Sequence, residues 1–287
     1  MSGQIGIGIL TPETQVIATP DGIELFVRTY HSEQPSPSRT IYWVHGLGEH
    51  GGRYEHVARA LAEKGWSTVI PDLRGHGRST GIKTYVKSFD DYAADIALIW
   101  ERLGLKSGST VLLGHSMGGL VAIRTIQSGC VVPSSLVLSS PLLGVKIRVN
   151  PIIIFLGKLA GRVMPTLRFS NRVDPSNMTH DPTFVALRRS DPLIIKNVTA
   201  GWFVAMESAL AAAHREVAKT TLPVIALQGT LDRTTDPEAM ERWWKRIGST
   251  NKELIVLGDH FHELFFEPDW PTTVKQILDW LEAKEQR

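Results

Sequence analysis

Cysteine, one-sided charge and long apolar runs are all scarce in this chain of 287 residues. The single cysteine, Cys130, excludes an intramolecular disulfide and a cysteine-ligated zinc site, and it fits a reducing, cytoplasmic compartment. The net charge of only +2 gives no general electrostatic basis for binding nucleic acid. Because the longest apolar stretch, residues 151–164, is interrupted by two basic residues and is shorter than the ~20 residues of a membrane span, we expect no transmembrane helix.

Short apolar runs alternate with longer helical patterns along most of the chain. Strands are expected at 41–44, 67–70, 110–113, 136–139, 224–227 and 254–257, and helices at 54–64, 89–103, 117–128, 237–247 and 271–283. Continuous apolar strands are typical of sheets covered on both faces, and the helices supply the crossovers that parallel strands need. A hairpin that ends at Tyr30 precedes them. The pattern predicts an α/β fold with a mostly parallel sheet flanked by helices.

One interval breaks this alternation. Roughly 80 residues separate the strand that ends near Pro141 from the one that begins near Pro223, which is too many for one crossover helix. We therefore predict an inserted cap over residues 142–221, with a body made of residues 1–141 and 222–287. Residues 144–200 contain nine Lys or Arg and three Asp, a net charge of +6.

Part of this predicted cap has an amphipathic pattern. If residues 152–164 form a helix, Lys158 and Arg162 lie on one face and apolar residues lie on another. The pattern predicts an interfacial helix that contacts an anionic membrane. A helix that packs its apolar face on the body and keeps its basic face in water is the alternative.

The sequence GHSMGG at 114–119 stands between a predicted strand and a helical pattern. A serine at a sharp strand-to-helix turn presents its hydroxyl above the sheet, and the crowded backbone requires minimal side chains two positions to either side. Gly114 and Gly118 provide them, so we predict that Ser116 is a nucleophile.

A serine nucleophile needs a histidine base and a carboxylate that orients it, in the chain order Ser, acid, His for this fold. Asp232 and His262 each follow a late predicted strand and are the predicted partners. His260 is an alternative base. Asp236, an alternative acid, directly precedes a proline and is better explained as a helix N-cap. Because the two histidines have no third ligand nearby, no metal is predicted. No strand precedes Gly3, Gly6 and Gly8, and their spacing differs from that of a dinucleotide loop, so no cofactor is predicted.

The negative oxygen of a tetrahedral intermediate also needs hydrogen-bond donors. One is expected to be the backbone N–H of Met117, which follows the serine. The second is expected to be the N–H of Leu47, since the glycines of HGLGEH at 45–50 allow this loop to bend after its strand.

Four segments of the sequence together resemble the monoacylglycerol lipase and lysophospholipase group of the α/β-hydrolase superfamily: HGLGEHGGRY at 45–54, DLRGHGRS at 72–79, GHSMGG at 114–119 and HELFFE at 262–267. The resemblance implies an α/β-hydrolase fold with an inserted helical cap, and it implies catalytic and oxyanion residues at Ser116, Asp232, His262, Leu47 and Met117. It also implies that Asp72, Arg74 and His76 shape their loop rather than react.

The same resemblance implies roles in substrate binding. Glu49 and Arg53 are expected near the polar end of the substrate, with an ion pair that fixes their loop as the alternative. From the residue types alone, and not from the resemblance, Trp202 and Phe203 are candidates for an acyl pocket, with core packing as the alternative. The apolar residues 264–266 replace a polar residue that monoacylglycerol lipases tend to carry after the histidine, which makes HELFFE more similar to bacterial lysophospholipases.

The expected function is hydrolysis of a single-acyl lipid ester, a lysophospholipid or a monoacylglycerol, through an acyl-enzyme intermediate. A short-chain carboxylesterase and a peptidase of the prolyl aminopeptidase type are alternatives with the same serine chemistry. A non-catalytic binding protein on this fold is an alternative of another class, although the complete set of catalytic residues argues against it. We expect a cytoplasmic protein with peripheral membrane contact through the basic cap.

Overall fold

A mostly parallel sheet forms the centre of the molecule. The structure is a computed structural model that describes residues 11–32, 39–146, 157, 159–171 and 173–285. Its strands are β1 (Glu13–Ala18), β2 (Glu24–Tyr30), β3 (Arg39–Val44), β4 (Trp66–Pro71), β5 (Thr110–His115), β6 (Ser135–Ser139), β7 (Arg168–Ser170), β8 (Asn197–Thr199), β9 (Val224–Gly229) and β10 (Lys252–Leu257).

Eight of these strands form one sheet in the order β1-β2-β4-β3-β5-β6-β9-β10, and β7 pairs with β8 separately. β1 is antiparallel to β2 and β2 to β4, whereas every pair from β4 to β10 is parallel. This confirms the predicted sheet. Because parallel strands end at the same edge of a sheet, the loops after β3, β5, β9 and β10 meet there.

Helices cover both faces of the sheet: α1 (Glu55–Glu63), α2 (Phe89–Arg102), α3 (Met117–Ser128), α4 (Pro182–Ser190), α5 (Ala200–Arg215), α6 (Pro237–Trp244) and α7 (Trp270–Glu285). Alternate residues of a strand point to opposite faces, so Tyr42 and Val44 pack with α2, α3, α5 and α6, whereas Ile41 and Trp43 pack with α1 and α7. Both faces of β3 are therefore buried, as its continuous apolar sequence predicts.

Local capping sets where the helices begin. The Ser88 hydroxyl accepts the Asp90 N–H before α2, and the Asp91 carboxylate accepts the Ser88 N–H in return. Asp236 caps α6 and accepts the N–H of Glu238 at 3.0 Å, which confirms its predicted N-cap role. The bounds of α3 are those predicted for the helix after GHSMGG.

The segment between β6 and β9 contains the β7–β8 pair, a helical turn at 159–163, α4 and α5. Its last helix packs on the body, since the Gln127 amide and the Trp243 indole each donate to the carbonyl of Ala213 on α5 at 3.1 Å. The predicted limits of the cap, 142–221, stay a prediction. Residues 152–156 and Lys158 of the predicted amphipathic helix lie outside the described residues.

Across the described ranges, no helix is both long and apolar enough to cross a membrane.

Candidate active site

A strained turn at the end of β5 holds Ser116. Its φ of 54° is in the left-handed region, and its N–H donates to the carbonyl of Ser139 on β6 at 2.9 Å. A Cβ on Gly118 would lie 2.1 Å from the Val44 carbonyl oxygen, and one on Gly114 would lie 2.4 Å from the Gly118 carbonyl oxygen. Only glycine fits these two positions, for the steric reason that the sequence motif indicates.

The loops after β5, β9 and β10 bring Ser116, Asp232 and His262 together. The Ser116 Oγ lies 2.8 Å from Nε2 of His262, and Nδ1 of His262 lies 2.8 Å from Oδ2 of Asp232. Because an ionised carboxylate can only accept, Nδ1 carries the proton and Nε2 accepts from the serine hydroxyl. This is the arrangement in which the imidazole can act as a base towards the serine.

The alternative base is directed elsewhere. The His260 Nε2 lies 3.0 Å from Oδ1 of Asp269, and its Nδ1 lies 2.6 Å from the carbonyl of Gly258. His262, not His260, therefore approaches Ser116.

Asp232 is fully buried, and its carboxylate is saturated with donors. Oδ1 accepts the N–H groups of Thr234 and Thr235, and Oδ2 accepts the Thr235 hydroxyl and the Gln228 amide as well as His262. Burial alone would raise the pKa of Asp232, but the His262 ring and the hydrogen bonds that the carboxylate accepts hold it well below its usual range. The carboxylate is therefore ionised and fixed in orientation.

A second buried histidine, His115, lies behind the predicted base. Its ring centroid is 4.9 Å from that of His262, and its Nδ1 is 3.2 Å from the Ser139 carbonyl. Burial and the nearby His262 ring lower the pKa of His115 to about 4. His115 is therefore neutral at neutral pH and adds no charge beside His262.

The two predicted oxyanion donors lie on the expected elements. Met117 is the first residue of α3, where a backbone N–H has no partner within the helix. Leu47 lies in the loop after β3, next to Gly46, where an added Cβ would be 3.3 Å from the Cβ of Ser116. The loop backbone is thus close to the serine. The role of these N–H groups in binding an oxyanion stays a prediction.

Glu49 and Arg53 form the ion pair that was the alternative to substrate binding. Glu49 is buried and accepts the N–H of Gly46 at 2.6 Å, the Tyr54 hydroxyl at 2.7 Å and Arg53. Arg53 also donates to both carboxylate oxygens of Glu263 and lies over the Phe266 ring, 4.2 Å from its centroid. Both side chains therefore fix the loop after β3, and their contact with substrate stays a prediction.

The segment between β6 and β9 is attached to this same loop. The N–H of Ile195 donates to the carbonyl of Gly48 at 2.8 Å, and Nε2 of His50 lies 2.8 Å from Oδ2 of Asp191. These contacts hold the segment against the loop that contains Leu47.

The DLRGHGRS segment shapes its own loop, as expected. The buried Asp72 pairs with Arg28 at 2.6 Å and accepts the N–H groups of Gly51 and Arg78 at 2.8 Å. Arg74 pairs with Asp95, and His76 is buried beside Arg74.

The aromatic candidates lie mostly in the core. Trp202 is buried, with its ring 6.2 Å from that of Phe89, whereas Phe203 is half-buried. Core packing is thus what Trp202 shows, and an acyl-pocket role for either residue stays a prediction. Phe265 and Phe266, which follow the predicted base, are buried and pack on Trp43 and Tyr54.

Several residues that support the site were not singled out from the sequence. Gln228 and Thr235 complete the hydrogen bonds of Asp232, and Glu263 and Arg188 extend the ion pair of Arg53. Glu263 stands inside the HELFFE segment, which offered a local signal. Arg188 is 75 residues away in the chain and offered none. In the part of the chain that the structure describes, no three His, Cys, Asp or Glu residues cluster as metal ligands.

Several known proteins are similar to this chain over most of its length. The model of a family described as Hydrolase_4, serine aminopeptidase S33, matches residues 35–269. Human monoglyceride lipase is 30% identical over 263 residues, which are 88% of this chain and 84% of that protein. The phospholipase YtpA of Bacillus subtilis is 27% identical over 238 residues, covering 81% of this chain and 91% of YtpA.

Among solved structures, a monoacylglycerol lipase of Paleococcus ferrophilus matches with a TM-score of 0.82 at 30% identity, covering 91% of this chain and 99% of that one.

One relative by sequence is much longer than this chain. The chain spans only 29% of the length of an uncharacterized abhydrolase domain-containing protein of Dictyostelium discoideum.

Proposed function

Since this chain belongs to the α/β-hydrolase family described as serine aminopeptidase S33, we propose that it is a serine hydrolase that cleaves the carboxylic ester of a single-acyl lipid. The observation that carries the proposal is the hydrogen-bond chain from Ser116 through His262 to Asp232. A hydroxyl bonded to a neutral imidazole, which is itself held by a carboxylate, is the arrangement that activates serine for acyl transfer.

The proposed reaction has two halves. The Ser116 Oγ attacks the ester carbonyl carbon while Nε2 of His262 takes the hydroxyl proton, and the tetrahedral intermediate then breaks its bond to the alcohol oxygen. His262 returns the proton to the departing alcohol, which leaves an acyl-serine ester. Water then attacks this ester with His262 again as base, and collapse releases the fatty acid and restores the serine hydroxyl.

The backbone N–H groups of Met117 and Leu47 are the proposed donors to the negative oxygen. The Met117 N–H has no partner within α3 because it is in the first turn. The loop after β3, which contains Leu47, is held by Glu49 and by Ile195. Donors fixed before the reaction stabilise the developing charge without reorganisation, and one of them contributes roughly a hundredfold to a thousandfold in rate.

A lipid ester is the proposed substrate class because the related proteins act on such esters by name. The human relative is a monoglyceride lipase, the Bacillus subtilis relative is a phospholipase, and the Paleococcus ferrophilus structure is a monoacylglycerol lipase. A lysophospholipid and a monoacylglycerol share one acyl ester and differ in the head group. These two substrates are therefore the arms of the test.

Residues 142–221 are the proposed cap, and we propose that part of it contacts an anionic membrane. Leu159, Val163 and Met164 are exposed apolar side chains beside the exposed Arg162. Apolar side chains that lie in water next to a cation are typical of segments that insert at a lipid surface. The exposed positions of Leu159 and Val163 favour this interpretation over packing on the body.

The test compares wild type and Ser116→Ala on four substrates: a lysophospholipid, a monoacylglycerol, a short-chain p-nitrophenyl ester and proline anilide. We expect wild type to turn over one of the single-acyl lipids with the highest kcat/KM, and Ser116→Ala to lose about 10⁴-fold or more in kcat while remaining folded. Preferred cleavage of proline anilide would contradict the lipid assignment. Near-normal turnover by Ser116→Ala would contradict the mechanism.

A further inference from the structure

A buried network of four charged side chains joins α4 to the loop that carries His262. Arg188, on α4, is 7% exposed and donates to Oε1 of Glu263, the residue that follows His262. Glu263 is 2% exposed and also accepts from both terminal nitrogens of Arg53, at 3.1 and 2.8 Å. Arg53 in turn donates to Glu49. The two arginines and the two glutamates balance in charge.

The network reaches both parts of the proposed catalytic machinery. At one end, the N–H of Glu263 donates to the carbonyl of Met178 at 2.8 Å, so main chain and side chain both tie the His262 loop to the segment that contains α4. At the other end, Glu49 accepts the N–H of Gly46, next to the proposed donor Leu47. A change at Arg188 is thus transmitted to Glu263 first.

The charged and titratable groups around His262 come from several elements. Asp232 follows β9, and Lys146 donates to the Asp232 carbonyl at 3.2 Å. His115 ends β5, and Glu263 is on the loop of His262 itself. Glu49 and Arg53 lie in and just after the loop that follows β3. Burial would raise the pKa of Glu263, but Arg188 and Arg53 lower it to about 2, so this carboxylate is ionised.

We infer that Arg188 is a positioning residue for hydrolysis: it holds the Glu263 carboxylate and cancels its charge, so that the loop keeps His262 in place and Glu263 adds no net negative field beside the imidazole. The inference rests on the proposed function. Arg53 alone cannot cancel Glu263, because Arg53 is already paired with Glu49. No other described cation donates to Glu263.

The test is the pH dependence of kcat/KM for a water-soluble ester. In Arg188→Met the charge of Glu263 is only partly compensated and favours the protonated imidazole. The acid limb should therefore move to higher pH by roughly half to one unit. The displaced loop should lower kcat roughly tenfold to a hundredfold. Arg188→Lys keeps the charge without the planar fork, so its acid limb should stay near that of wild type.

A second variant tests the opposite sign. In Glu263→Gln the two arginines carry an excess positive charge that opposes protonation of the imidazole, so the acid limb should move to lower pH. This variant leaves Arg188 in place, and it keeps the inference testable where Arg188→Met does not fold. A purely structural role would lower kcat in both variants without moving the acid limbs apart.

Arg189→Met is the matched control. Arg189 is the next residue of the same helix, but its side chain is 59% exposed and lies 3.5 Å from the exposed Asp174. Its pH profile should superimpose on that of wild type. The inference would be overturned if the acid limbs of Arg188→Met and Glu263→Gln both coincided with that of Arg189→Met. Failure of the proposed function is distinguishable, because wild type itself would then show no ester turnover.

Discussion

The loops that hold Ser116, Asp232 and His262 differ from the part of the segment between β6 and β9 that precedes α5. In these loops, Asp232 and His262 are buried, and both carboxylate oxygens of Asp232 accept hydrogen bonds. In the segment between β6 and β9, all three residues of β7 are exposed, and Val163 is 72% exposed. Its helix α4 buries only Arg188.

This difference fits the proposed function, in which the two regions have different tasks. Acyl transfer needs three side chains at fixed distances, and fixed distances require buried, saturated hydrogen bonds. Recognition of a lipid requires apolar surface that remains open to solvent or substrate. The side chains with fixed hydrogen bonds therefore lie in the loops at the ends of the parallel strands. Exposed apolar side chains such as Val163 lie in the segment between β6 and β9.

The largest effect is expected at Asp232, the proposed acid of the triad. In Asp232→Asn the side-chain amide can donate a hydrogen bond to Nδ1 of His262, whereas the carboxylate can only accept one. The imidazole then carries its proton on Nε2 and cannot accept the proton of Ser116, so kcat should fall about 10⁴-fold. The matched control is Asp236→Asn, since Asn also serves well as an N-cap. Steady-state hydrolysis of a soluble ester measures both. An equal loss in Asp236→Asn would remove the distinction between the two acids.

The next effect concerns the rigidity of the serine turn. In Gly118→Ala the added Cβ would lie 2.1 Å from the Val44 carbonyl oxygen, so strand and helix must separate. The free energy of unfolding should fall by about 3 kcal/mol. Gly108→Ala is the control because nothing lies within 4 Å of its Cβ position. Urea unfolding measures both, and equal stabilities would show that the turn is not tightly packed.

The third effect is a difference between the two regions in how strongly their carboxylates make the free energy of unfolding depend on pH. The pKa of Glu263 in the folded protein, about 2, is below its usual value, so this carboxylate stabilises the fold above about pH 4.5 and that contribution is lost as the pH falls towards 2. As the pH falls over this range, both proteins should lose stability. The loss of free energy of unfolding should be about 2 kcal/mol smaller in Glu263→Gln than in wild type. Asp174→Asn, at an exposed ion pair, should behave as wild type. A dependence in Asp174→Asn as weak as that in Glu263→Gln would contradict the contrast between the regions.

The smallest effect is expected on the exposed face of the proposed cap. Val163→Asp should weaken binding to vesicles that contain anionic lipid by roughly tenfold, because it removes one inserted apolar side chain and adds a negative charge. Turnover of a water-soluble ester should not change. Val132→Asp is the control, since Val132 is 66% exposed but follows α3 on the body. Equal weakening in both variants, measured by vesicle sedimentation, would refute a specific membrane face.

The sheet and the serine turn were predictable because their signals are local. Buried parallel strands require continuous apolar runs, and the glycines that flank Ser116 are required by contacts of 2.1 and 2.4 Å. The chain order serine, acid, histidine left Asp232 and Asp236 as candidate acids, and the position of Asp236 directly before a proline favoured Asp232. His260 and His262 share one loop and differ by two positions, so only their directions in space separate them.

The remaining features depend on contacts between distant parts of the chain. Arg188 and Glu263 are 75 residues apart, and no local pattern predicts their pairing. The β7–β8 pair has only three residues in each strand, and those of β7 are all exposed. No alternation of apolar and polar residues therefore predicts this pair. Similarly, whether Glu49 and Arg53 meet each other or a substrate depended on how their loop folds.

Covalent labelling with a fluorophosphonate, followed by mass spectrometry of the digested protein, tests whether His262 activates Ser116. A serine activated by His262 should carry the phosphonyl group at Ser116 in wild type, and His262→Ala should label far more slowly. Labelling at another residue, or a rate in His262→Ala equal to that of wild type, would contradict the claim that these side chains form one nucleophilic unit.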